Sequence, residues 1–71
     1  MIWLVKDNMS HQIISCNIYD NKDKGTHELW VTRPGGKNLK ISESKNRDVV
    51  SEIKDAIDYA VEKGIPILRL T

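Results

Sequence analysis

Residues 37–66 read KNLKISESKNRDVVSEIKDAIDYAVEKGIP, and the fold turns on a change of period within them. Up to Ser42 the apolar residues alternate, with Leu39 and Ile41 on one side of an extended strand. Further on, Val49, Val50, Ile53, Ala56, Ile57, Ala60 and Val61 recur at three-and-four spacing, which is one apolar face of a helix. Ser44 or Asn46 offers a side-chain oxygen to the first free amides, and Gly64 followed by Pro66 ends the run. The spacing therefore predicts a helix over residues 46–63.

Working back from this junction, Pro34-Gly35 has the residue types of a tight turn, loosened by Gly36. Before it, Thr26 to Arg33 alternates as a strand, with His27, Leu29 and Val31 on one face and Glu28, Trp30 and Thr32 on the other. Gln12 to Asp20 reads as one further strand, with Ile14, Cys16 and Ile18 on the buried side and Ile13, Ser15, Asn17 and Tyr19 opposite. Ile2 to Lys6 is short, bulky and apolar, a strand buried on both faces, and Asp7 to Ser10 reads as the turn that follows it. Forward of the helix, Ile65 to Leu70 is a last strand with Pro66 at its beginning or on an edge. The order is β-β-β-β-α-β. It predicts an α+β domain with a mainly antiparallel sheet of about four to five strands and one helix packed on one face. The last strand is expected antiparallel to the first.

A length of 71 residues predicts one domain, 1–71, and argues against a two-domain enzyme, a dinucleotide fold, a barrel or a solenoid within it. Such a chain buries only about 60–65% of its unfolded surface, so its core is thin. Small secreted domains usually compensate with disulfides. The one cysteine, Cys16, cannot form such a bridge within the chain, which points to a reducing, cytoplasmic setting. The apolar run Met1 to Val5 is too short for a leader core or a membrane span, so no membrane partner is expected.

Net charge is +1, unevenly spread: residues 1–45 carry +2 and residues 46–63 carry −2. Asp48, Glu52, Asp55 and Glu62 fall in a stripe opposite the apolar face of the helix, around Tyr59. Like charges three and four apart repel, so the stripe reads either as an acidic docking face for a basic partner or as a solvated helix back. A second surface is the sheet face away from the helix. Trp30, Tyr19 and Ile13 point there with one alternate set from the first strand, either Trp3 with Val5 or Ile2 with Leu4. Nothing else in the sequence covers that face, which suggests a partner protein or a homodimer. Third, Arg33, Lys37 and Lys40 surround a hairpin tip near Trp30, an arrangement able to contact phosphates and stack on bases.

Signs of catalysis are few. His11 and His27 have no companion at metal-ligand spacing, and Cys16 shares its face with isoleucines, as an inert thiol does. Gly35-Gly36 lies between strands and opens no helix, unlike a phosphate loop. Neither catalytic residues nor a metal or other cofactor is expected. The leading expectation is a small non-enzymatic binding module, an accessory, regulator or inhibitor acting through protein–protein contact. Nucleic-acid binding through the basic hairpin is the alternative, and self-association is a further one.

Overall fold

A computed structural model describes residues 1–70 of the chain. Strands β1 (Ile2–Lys6) and β2 (Met9–Ile13) form a hairpin closed by Asp7-Asn8. Both turn residues have positive φ, 53° and 63°, the left-handed pair that a two-residue hairpin needs and that Asp and Asn tolerate best among residues with side chains. Strands β3 (Ser15–Asn21), β4 (Thr26–Thr32) and β5 (Asn38–Ser44) follow as an antiparallel meander. Helix α1 (Arg47–Lys63) packs across this meander, and β6 (Ile67–Arg69) returns to β1. The result is an α+β domain of one helix and six strands in two three-stranded sheets, ordered β2-β1-β6 and β3-β4-β5.

Two sheets arise because the stretch expected as one strand, Gln12 to Asp20, is bent at Ile14. Ile13 and Cys16 are both buried, and their spacing of three is incompatible with uninterrupted alternation. The chain resolves the conflict at Ile14, which breaks phase between the sheets while its amide still donates to the Thr32 carbonyl at 2.9 Å. Ile13 is therefore a core residue, 0% exposed and opposite Ile2, and not part of the bare sheet face. Ile14, expected inside, is 45% exposed.

The last strand also departs from expectation, since β6 runs parallel to β1, with Trp3 opposite Ile67 and Leu4 opposite Leu68. Counting strand directions across a single meander does not survive the bend, which places β1 and β5 in different sheets. Pro66 lies just ahead of β6, where its missing N–H costs nothing and its carbonyl accepts from the Trp3 amide at 2.9 Å.

Helix boundaries follow the local signals. The Asn46 side chain accepts from the Asp48 amide at 3.0 Å, and Ser44 Oγ accepts from the Asn46 amide at the same distance. At the other end Gly64 adopts φ 69° and donates to the carbonyls of Ala60 and Val61. Val50, Ile57 and Ala60 are buried against Ile2, Leu4, Ile13, Leu29, Val31 and Ile41 in one core. Val49 stays exposed at the margin of the helix face.

Candidate functional site

The helix covers the inner face of the second sheet and leaves its outer face bare. Alternation sends Tyr19 outward from β3, Glu28 and Trp30 from β4, and Lys40 from β5, with Tyr19 opposite Glu28 and Trp30 opposite Lys40. A register shift changes what β5 presents. Leu29 pairs with Ser42 but Trp30 with Lys40, so Ile41 is an extra residue, a β-bulge. Lys40 and Glu43, three apart, consequently share the outer face and form an ion pair at 2.9 Å. In a regular strand they would point to opposite sides.

A fixed polar network surrounds the two aromatic rings. Glu28 is 5% exposed, and its carboxylate accepts from Trp30 Nε1 at 2.9 Å and from Asn21 Nδ2 at 3.1 Å. Those donors, Asn21 first and Trp30 second, hold the Glu28 carboxyl below the ordinary range. Glu43 is lowered likewise by Lys40 and by the Thr26 hydroxyl, which donates to it at 2.7 Å. Tyr19, Glu28, Trp30 and Asn38 line a shallow depression of about 360 Å³. Trp30 and Tyr19 thus stand together as expected. The carboxylate that sets the indole was not singled out in the sequence, although an acid two residues before an outward tryptophan on one strand is a signal that alternation alone exposes.

The acidic stripe lies where the helical period puts it: Asp48, Glu52, Asp55, Tyr59 and Glu62 are all exposed. None of these acids takes part in an ion pair among the described residues, and Lys63 sits 6.0 Å from the Tyr59 ring centroid. Asp58, at the stripe's margin, instead pairs with Lys54 against β3.

The basic hairpin is divided between neighbourhoods. Arg33 and Lys37 flank the turn, joined by the Arg33 amide donating to the Lys37 carbonyl at 2.7 Å. They line a cleft with Trp3 and His11 of the first sheet, whereas Trp30 and Lys40 belong to the outer face of the second. The tryptophan beside Arg33 and Lys37 is therefore Trp3 and not Trp30. Adjacency in sequence favoured the wrong ring, because the bend at Ile14 swings the first sheet under the hairpin tip.

Nucleophile and base candidates do not converge. Cys16 Sγ donates to Asp58 Oδ1 at 3.4 Å, and burial, reinforced by that carboxylate, pushes the thiol up to about 12. A thiol so placed stays protonated at neutral pH. His27 Nδ1 is 2.6 Å from Asp20 Oδ1, and Arg47 lies 3.8 Å from the same oxygen. His27 with Arg47 lowers the Asp20 carboxyl, making this a tie between β3, β4 and the start of the helix. Among the described residues no three His, Cys, Asp or Glu side chains gather as a metal cage, and no helix is long and apolar enough to cross a membrane. The chain matches no protein-family model, and no curated protein or solved structure proves similar to it.

Proposed function

We propose that this chain is a non-enzymatic binding module acting through protein–protein contact, with the outer face of the second sheet as its working surface. One observation carries the reading: Trp30 and Tyr19 stand together on a sheet face that no other element covers among the described residues, with the indole fixed by the nearly buried Glu28 carboxylate. Tryptophan and tyrosine dominate interface hot spots, and a partner gains most where such rings are surrounded by groups already paired with one another. Here the rim charges Lys40 and Glu43 and the hydroxyl of Thr26 are bonded together, so docking orders few side chains. The protonated, buried Cys16 and the engaged His27 support a non-enzymatic role.

The test is capture of partners from extract with the unmodified chain, with Trp30→Ala and Tyr19→Ala, and with Glu52→Lys combined with Asp55→Lys. Loss of a specific partner in both aromatic variants, with circular dichroism unchanged, is the expected result. Loss only on charge reversal moves the working surface to the helix stripe. Light scattering adds the remaining arm, since a dimer that Trp30→Lys converts to monomer makes the partner a second copy of the chain.

A further inference from the structure

A second surface, distinct from the Trp30 face, has the chemistry of a ligand site. Trp3 projects from the outer face of the first sheet, 46% exposed, with Gln12 opposite it on β2. The β4–β5 turn brings Arg33 and Lys37 to the same place, and together with His11 these residues border an open cleft of about 370 Å³. No carboxylate of the described residues lines it, in a chain with 10 acidic residues. Neither Arg33 nor Lys37 has an acidic partner among the described residues. Arg33 Nε is the one buried side-chain nitrogen or oxygen without a hydrogen-bond partner among those residues. A buried donor left unpaired is costly, and an oxyanion is the acceptor that a guanidinium bonds most strongly.

We infer that this cleft binds a phosphorylated nucleoside unit, with the base stacked on the Trp3 indole and the phosphate held between Arg33 and Lys37. The indole offers a flat ring to any base, and the two cations make the charge-assisted contacts that phosphates take. Gln12, opposite Trp3 on β2, adds hydrogen-bonding groups beside the ring. Local charge decides the matter over net charge: the chain is only +1, but its acids lie mostly on the helix and the outer sheet face, away from this cleft. The unit is supplied either by a free nucleotide or by a single strand, and the chemistry at the cleft is common to both.

The experiment uses Trp30→Phe, which leaves Trp3 as the only tryptophan of the two in the chain. Its fluorescence is titrated at about 50 mM salt with inorganic phosphate, thymidine 5′-monophosphate and an oligothymidylate of about ten nucleotides. Saturable quenching by the mononucleotide or the oligomer is expected, with inorganic phosphate binding more weakly and without quenching. Equal affinity for mononucleotide and oligomer assigns a free nucleotide. Tighter oligomer binding that falls about sevenfold between 50 and 200 mM salt, as two neutralised phosphates require, assigns a strand. Arg33→Ala with Lys37→Ala should weaken either by about tenfold or more, and so should Trp3→Ala read by anisotropy of a labelled oligomer, with Trp3→Phe retaining binding. Absence of quenching by both nucleotide probes, or quenching undiminished by loss of the two cations, overturns the proposal. Equal binding of inorganic phosphate and nucleotide overturns it too, because the stacking contact is then idle.

Discussion

Replacing Ile13 and Ile14 separately by alanine tests the bend that creates the two sheets. Ile13 is 0% exposed, so Ile13→Ala removes three buried carbons at about 0.8 kcal/mol each and leaves a cavity, a loss of about 3 kcal/mol. Ile14 is 45% exposed, so Ile14→Ala loses about half the transfer energy and opens no enclosed void, about 1 kcal/mol. For a domain of this size total stability is about 4–10 kcal/mol, so Ile13→Ala removes a large share of it and Ile14→Ala a small one. Urea unfolding followed by tryptophan fluorescence resolves the two. With about 4–8 °C per kcal/mol, melting temperatures should fall by about 12–24 °C for Ile13→Ala and by less than about 8 °C for Ile14→Ala. An uninterrupted strand would bury Ile14 with Cys16 and Ile18 and expose Ile13. A larger loss for Ile14→Ala than for Ile13→Ala would refute the bend, and with it the placement of Trp3 beneath the hairpin tip.

Three other outcomes follow from the same geometry. In Trp3→Phe, where Trp30 is the only tryptophan, acid titration with excitation selective for indole should shift the emission with a midpoint below that of an unperturbed glutamate. The Glu28 carboxyl is depressed by Asn21 and Trp30, so its contribution to stability is present above the unfolded value and is lost only as pH falls through the lower folded one; a midpoint at or above that of an unperturbed glutamate contradicts this. Cys16 should resist disulfide-exchange reagents at pH 8 until the chain is unfolded. Its raised pKa also makes stability decline as pH rises from about 9.0 toward about 12, since the unfolded thiol releases its proton first, and rapid labelling of the native chain would contradict the burial. Gly64→Ala should cost about 1–2 kcal/mol in a thermal melt. An added Cβ would meet nothing within 4 Å, so the whole effect comes from the left-handed φ of 69°; an unchanged melting temperature would argue against the helix cap.

How much was legible in the sequence depended on how local the cause was. Asn46 and Gly64 bound the helix through hydrogen bonds that reach no further than four residues, and the apolar spacing of Val50, Ile57 and Ala60 fixes which face turns inward. The alternation of Leu29 and Val31 against Glu28 and Trp30 likewise determined which side of the second sheet would be buried and put Tyr19 and Trp30 on the bare side. Those features belong to the sequence because backbone period and capping are decided by near neighbours.

Tertiary structure decided what depends on phase. Ile13 and Cys16 compete for the same core at a spacing that alternation forbids, and only packing against Ile2 on one side and the helix on the other makes the break at Ile14 favourable. The bulge at Ile41 is a second phase shift, and it alone brings Lys40 and Glu43 to one face. Each shift leaves the residue types unchanged and alters which residues meet, so Arg33 and Lys37 come to lie beside Trp3, thirty positions away in the chain, while Trp30 keeps company with Glu28. A one-residue slip reverses every side chain beyond it, and its sign is set by burial summed over both sheets and the helix, which no short window of sequence contains.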